Sequence, residues 1–204
     1  MTREKHNSQK RETTRNKILS VAVELFASKG LAATSAKDIA SLAKVSVGLM
    51  YHYYKTKEEV FGALTKEAIR EMRELKAMLK AESCPQKGLE GLVLEILNEL
   101  KSSLEFSQWM VLLSHPLPAK HDPAWAEDFV GFHIQFVEQI TELIIRGQRE
   151  DKIVDDDPKM LAQFLLASIQ GLCILQLSLK EAFVVPTLNA IVDPIIKSPK
   201  CKCA

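Results

Sequence analysis

The stretch from residue 34 to residue 59 constrains the fold more than any other part of the chain, because it contains the sequence signals of three helix N-termini. Ser46 is a good N-cap, since a short hydroxyl can accept a hydrogen bond from a first-turn amide. Two further pairs have the spacing of a capping box, namely Ser35 with Asp38 and Thr56 with Glu59. The sequence therefore predicts two short helices joined by a tight turn, followed by the start of a longer helix.

The predicted turn falls at Lys44 and Val45, after the small apolar face formed by Ile39, Ala40 and Ala43. A lysine in this turn requires the backbone there to tolerate a Cβ atom. Two helices joined by a turn of three or four residues form a helix-turn-helix, whose second helix enters the major groove of DNA.

A wider set of residues extends the match beyond the motif itself: Gly30, Thr34, Ser35, Ile39, Ala40, Ala43, Val45, Ser46, Gly48, Tyr51, Tyr53, Tyr54 and Lys57. In these positions the chain resembles the DNA-binding domain of the TetR family of bacterial transcription regulators, although that family usually has Gly at Lys44 and Phe at Tyr54. The resemblance implies an all-α fold, with an N-terminal three-helix domain over residues 1–57. A C-terminal helical domain for ligand binding and dimerisation would occupy residues 58–204.

Side chains of the second short helix must divide between the core and DNA. Val45 and Leu49 are predicted core anchors, joined by Met50, while the predicted outward set is Ser46, Val47, Gly48 and His52. The resemblance implies base contacts at Val47, Gly48 and Leu49. It implies phosphate contacts at Thr34, Ser35, Tyr51, Tyr53 and Lys57. Lys37 is a further candidate for guanine or phosphate, and Tyr54 is open to either core packing or DNA contact.

The distribution of charge agrees with a DNA-facing N-terminus. Residues 1–57 hold 11 Lys/Arg and 4 Asp/Glu, although the formal net charge of the whole chain is only +1. A basic end joined to an acidic body is expected when one end faces phosphates. Residues 1–10 are predicted to be a polar tail, either solubilising or acting as an arm that contacts DNA.

The remainder of the chain carries only helix signals. Predicted helices cover residues 11–29, 57–81, 89–104 and 107–114, then one from Asp122-Pro123, one from Asp157-Pro158 to Lys180, and one at 187–197 that Pro194 bends or shortens. The helix after Pro158 is apolar on nearly every face, so it is predicted to be covered by a partner subunit rather than to span a membrane. The resemblance implies a homodimeric four-helix bundle, with candidate interface residues Leu165, Ile169, Leu172, Leu175, Gln176 and Ile191.

A small-molecule site is predicted in the C-terminal domain, where bulky apolar side chains surround a few polar ones. The candidates are Trp109, Met110, Trp125, Phe129, Phe132, His133, Phe136, Gln170 and Cys173. The resemblance implies that an effector bound there releases the protein from DNA, which makes a cytoplasmic, ligand-responsive repressor the leading hypothesis.

Other functions remain open at this point. One is a constitutive DNA-binding regulator without an effector. Another is a metal or thiol sensor using His115, His121 and Asp122, or Cys201 and Cys203, although none has the spacing of a closed zinc site. An enzyme is disfavoured, because no nucleophile–base pair, phosphate loop or paired carboxylates occur in a credible setting. No cofactor is predicted.

Overall fold

A computed structural model describes residues 3–114 and 124–197, with side chains for 8–71, 73–112, 131 and 134–197. These residues form helices and no β-strand, apart from one isolated bridge between Ile153 and Ile196. The α-helices, in chain order, are α1 (Arg3–Ala33), α2 (Ala36–Leu42), α3 (Val47–Tyr53), α4 (Lys57–Ala81), α5 (Pro85–Ser102), α6 (Glu105–Ser114), α7 (Ala124–Arg149), α8 (Pro158–Leu179) and α9 (Leu188–Val192). The predicted all-α class is confirmed.

The chain divides into two compact units within α4, after Ala68. The first unit comprises Met1–Ala68 with Gln108–Pro116, and the second comprises Ile69–Ser107 with Leu117–Ala204. The domain boundary at residue 57 stays a prediction; the two units divide after Ala68 instead, so α4 contributes residues to both of them.

The first unit is a small core built by α1 to α4. The wholly buried side chains of Ile18, Phe26, Ile39 and Met50 come from three different helices. Phe26 also meets Phe61 of α4, with ring centroids 5.7 Å apart. Burying aromatic and aliphatic side chains of this size stabilises the unit by roughly 1.5–3 kcal/mol for each residue.

The helix α1 is longer than its sequence suggests, and it is broken near its end. It begins at Arg3, so residues 3–10 are helical and the prediction of a tail over residues 1–10 was wrong for that part. No Gly or Pro occurs before Gly30, and a nucleated helix propagates through such a stretch. Gly30 has φ 78° and ψ 160°, which ends the regular helix where the sequence placed its C-terminus.

The second unit is organised by the packing of α7 against α8, and of α5 against α7, α8 and α9. Arg146 of α7 donates to the carbonyl oxygens of Glu82 and Ser83, at 3.0 Å each, and so holds the junction between α4 and α5. At the start of α8, the Asp157 carboxylate accepts from the Met160 amide at 2.7 Å, which confirms the predicted N-cap.

The last predicted helix is much shorter in the structure. Thr187 caps it, but α9 ends at Val192 rather than continuing to Lys197. Pro194 has no N–H group and cannot extend the helix. The chain instead turns back, and Val154 donates to the Ile195 carbonyl at 2.9 Å beside the bridge to Ile153.

Gly147 permits the closest packing in this part of the second unit. A Cβ atom added there would lie 2.3 Å from Cδ1 of the buried Ile153 and 3.3 Å from Pro85. We predict that Gly147→Ala lowers the free energy of unfolding by about 1–3 kcal/mol through overpacking. Chemical denaturation measures it, with Gly91→Ala of α5 as the matched control.

Gly91 is exposed and a Cβ atom there would meet nothing within 4 Å. Alanine is the better helix former, so the control should be neutral or stabilising by up to about 1 kcal/mol. Equal effects of the two substitutions would contradict the packing described here.

Candidate nucleic-acid interface

The start of α2 is held by the predicted capping box at Ser35. The Ser35 hydroxyl accepts from the Asp38 amide at 3.1 Å, and the Asp38 carboxylate accepts from the Ser35 amide at 2.9 Å and from its hydroxyl at 2.7 Å. These hydrogen bonds, the side-chain one first, hold the pKa of Asp38 below its ordinary value. The bonds that the Asp38 carboxylate accepts therefore favour its ionised form.

The turn between α2 and α3 is a Schellman motif with a lysine at the left-handed position. Lys44 has φ 55°, and its amide donates to Ser41 O at 3.1 Å, while the Val45 amide donates to Ala40 O at 3.0 Å. A non-glycine residue in this conformation costs about 1–2 kcal/mol. The sequence prediction that the turn tolerates a Cβ atom at Lys44 is confirmed.

Only one residue of the short helix α3 is fully buried. Met50 has no exposed surface, whereas Leu49 is 39% exposed and Val45 is half-buried. Leu49 as a core anchor was therefore wrong: Met50 takes that role, because the helix turns its i+4 position after Ser46 toward the core. The Ser46 hydroxyl caps α3 by accepting from the Leu49 amide at 3.1 Å.

Tyr54 ends α3 and belongs to the core. Its side chain is 8% exposed, and its hydroxyl accepts a hydrogen bond from Nε of Arg15 on α1 at 3.1 Å. Of the two readings of Tyr54, core packing is confirmed. Arg15 thus fastens α3 to α1, a role that nothing in its sequence setting indicated.

Two residues that the resemblance assigns to phosphates face protein atoms instead. Thr34 is 1% exposed, and its hydroxyl is 2.9 Å from Gly30 O and 3.3 Å from Leu25 O. The predicted phosphate contact by the Thr34 side chain was therefore wrong, because its hydroxyl is buried and already donates to carbonyl oxygens beside the break in α1. Lys57 is half-buried and directs its ammonium at three carbonyl oxygens.

The remaining candidates are exposed, and we call them together the α2–α3 surface. It consists of Ser35, Lys37, Ser46, Val47, Gly48, Leu49, Tyr51 and His52, all exposed. Tyr53 is half-buried beside it, with its ring 5.7 Å from that of His52 in an edge-on arrangement. Leu42 at the end of α2 is also exposed, at 42%. It was not named from the sequence as a candidate for DNA contact, because it lies off the apolar stripe of that helix.

The predicted effector residues are distributed between the two units, and each group is described separately. Trp109 and Met110 lie in the first unit and are half-buried. In the second unit, Phe136 and Cys173 are buried and Gln170 is half-buried. The side chains of Trp125, Phe129, Phe132 and His133 lie outside the described residues, as do His115, His121, Asp122, Cys201 and Cys203.

A buried network of hydrogen-bonded polar groups lies in the second unit, and only some of its residues were singled out from the sequence. The Ser107 hydroxyl donates to Oε1 of Gln176, whose Nε2 donates to Leu100 O at 2.6 Å. The Cys173 thiol is hydrogen-bonded to Ser107, although burial raises the pKa of that thiol above its ordinary value. Ser107, wholly buried, was missed because serines near a helix start usually indicate caps.

Three predicted interface residues were placed on the wrong face of α8. Leu165, Ile169 and Gln176 are at most 6% exposed and belong to the chain's own core, because that face of α8 packs inside the second unit. Leu172 and Ile191 are half-buried, and Leu175 is 48% exposed. The open face of α8 carries Phe164, Ile174, Leu175 and Leu179, each 48–53% exposed.

Within the described part of the chain, neither a metal cluster nor a clear membrane span emerges. Among the side chains that the structure describes, no three His, Cys, Asp or Glu residues are grouped to hold a metal ion. One segment, Pro158–Ala182, is long and apolar enough to cross a membrane by length and composition alone. This test is also met by core helices of soluble proteins, so a single such segment is weak evidence.

Residues 18–64 match the family model for "Bacterial regulatory proteins, tetR family". In this N-terminal segment the chain belongs to the TetR family. A transcriptional repressor of Mycobacterium tuberculosis, Rv3405c, is 44% identical over 54 residues, which are 26% of this chain and 29% of the relative. The chain thus spans under a third of the length of the curated relatives it matches.

Solved structures show the same fold over most of the chain. The SmeT–triclosan complex has a TM-score of 0.67 at 19% identity and covers 92% of this chain and 93% of that one. A transcriptional regulator from Saccharomonospora viridis in complex with choline has a TM-score of 0.69 at 21% identity, covering 92% and 100%. The TetR fold therefore extends beyond the matched N-terminal segment.

The cap at Ser35 predicts a definite titration behaviour. Because the folded-state pKa of Asp38 is depressed, its contribution to stability is present above the ordinary aspartate pKa and is lost as pH falls through the folded-state value. NMR titration of the folded protein should place Asp38 below an ordinary aspartate, and Ser35→Ala should raise its pKa toward the ordinary value. An unchanged Asp38 pKa in Ser35→Ala would contradict the capping account.

Proposed function

We propose that this TetR-family protein is a transcriptional repressor that binds a palindromic operator as a homodimer and is released by a small apolar or amphipathic effector. The observation that carries the proposal is the α2–α3 surface: a short, capped helix α3 presents Val47, Gly48 and Leu49 to solvent. Apolar side chains on the exposed side of a helix can contact the apolar groups of a partner. A thymine methyl group suits Val47, and Gly48 allows close backbone approach.

The polar members of the same surface suit phosphate contacts. Tyr51 is an exposed hydroxyl donor and Lys37 adds an exposed cation on α2, whereas the Ser35 hydroxyl already donates to the Asp38 carboxylate. Such groups fix the register of a protein on DNA without reading its sequence. The surface contains no Arg, Asn or Gln, so sequence readout would rely on apolar contacts and on Lys37.

Two observations support release by an effector: the buried residues of the second unit, and the ligands bound by proteins of similar structure. Proteins of this fold include one in complex with triclosan and one in complex with choline. In this chain Phe136 is buried and Cys173 is buried beside the Ser107 hydroxyl, and such apolar and polar groups suit an apolar or amphipathic ligand. Since α4 belongs to both units, an effector that prefers one arrangement of the dimer would change DNA affinity by population shift.

A binding selection from genomic fragments with the purified protein tests DNA recognition. We predict recovery of one recurring site with two inverted half-sites centred about 10 base pairs apart, as for dimeric helix-turn-helix proteins. Tyr51→Ala should weaken binding to that site by about tenfold or more, since an exposed phosphate donor is lost. Met78→Ala, an exposed α4 residue of the second unit, is the control and should bind like the wild type. Weak binding without sequence preference would contradict the proposal.

The homodimer is proposed to form through the open face of α8. Phe164, Leu175 and Leu179 lie at helical spacing around Gly171, where a Cβ atom would meet nothing within 4 Å. Covering this face would remove a contiguous apolar patch from water, which favours association. The short α9 supplies little helix for a bundle, so α8 is expected to dominate the interface.

Sedimentation analysis at micromolar concentration tests the interface. We predict that the wild type has twice the chain mass of 22.9 kDa and that Leu175→Glu has the single-chain mass. Burying an unpaired carboxylate in an apolar interface costs several kcal/mol. Leu94→Glu on α5, which is 47% exposed against 48% for Leu175, is the matched control and should remain dimeric. A monomeric wild type, or a dimeric Leu175→Glu, would contradict this interface.

A further inference from the structure

Lys57 is placed where its own helix disfavours it. It is the first residue of α4, and a positive charge at a helix N-terminus opposes the helix dipole. Glu58 and Glu59 next to it have the favourable sign. The reason for a lysine at this position must therefore lie outside α4.

The end of α1 supplies that reason. Nζ of Lys57 lies 2.7 Å from Leu31 O, 2.9 Å from Ala32 O and 2.9 Å from Thr34 O. An ammonium group has three donors, so these three carbonyl oxygens use all of them. Carbonyl groups at a helix C-terminus lack intrahelical partners and carry partial negative charge, which makes a lysine ammonium a suitable cap.

The contact joins the two ends of the helix-turn-helix segment. Residues 31–34 come immediately before Ser35, which caps α2, and Lys57 follows Tyr54, which ends α3. We infer that Lys57 is a positioning residue: its ammonium closes the segment 31–57 and sets where α2 and α3 lie, and it does not bind a DNA phosphate. We call this contact the Lys57 clamp. The inference rests on the proposed DNA binding, but the clamp itself exists in the free protein.

Two substitutions separate a clamp from a phosphate contact. Lys57→Met keeps most of the side-chain length and removes the ammonium. Lys57→Arg keeps the positive charge, but a planar guanidinium fork cannot converge on three carbonyl oxygens around one nitrogen. Lys55→Met removes an exposed charge two residues away and is the control.

Hydrogen exchange in the free protein gives the first readout. Amides at the start of α2 should exchange about tenfold faster or more in both Lys57→Met and Lys57→Arg, and the thermal midpoint should fall by several degrees. Lys55→Met should leave both quantities unchanged. Exchange in Lys57→Met equal to that of the wild type would overturn the clamp, whatever happens with DNA.

The salt dependence of operator binding gives the second readout. A lost phosphate contact lowers the slope of log K against log salt by about one. Lys57→Met and Lys57→Arg should both bind about tenfold more weakly, with the wild-type slope. A slope reduced by about one in Lys57→Met, with wild-type binding in Lys57→Arg, would show a phosphate contact and overturn the inference. If the wild type itself selects no operator, the proposed function fails, while the exchange readout still decides on the clamp.

Discussion

A helix of seven residues is not stable on its own in water, and both helices of the helix-turn-helix have that length. Their stability must come from what surrounds them. Ile39 and Met50, wholly buried, anchor them in the core of the first unit, and Ser35 and Ser46 satisfy their first amides. Arg15 fixes the far end of α3 through the Tyr54 hydroxyl. The α2–α3 surface is thus exposed on a scaffold that other parts of the chain hold in place.

Much of this arrangement could be predicted from local sequence signals. The bounds of α4, the caps at Ser35, Ser46 and Asp157, and the turn at Lys44 are decided within a few residues, because caps and turns depend on short-range hydrogen bonds. The second capping box was only half right: Thr56 Oγ1 accepts from the Glu59 amide at 3.1 Å, but the Glu59 carboxylate accepts from the Lys55 amide at 2.7 Å.

Long-range contacts could not be predicted from the same signals. The hydroxyl of Thr34 and the ammonium of Lys57 find carbonyl oxygens that are exposed only because α1 breaks at Gly30. The buried side of α8 was also misjudged, since that helix is apolar on most faces and its periodicity does not say which face meets α7. In the structure Leu165 and Ile169 pack in the core, whereas Phe164 and Ile174 are exposed.

Hydroxyl-radical footprinting of the protein on its selected operator tests the central claim most directly, namely that paired α2–α3 surfaces read DNA. The account predicts two protected patches on the same face of the duplex, about one helical turn apart and related by a dyad. A single protected patch, or uniform weak protection that vanishes as salt is raised, would contradict it.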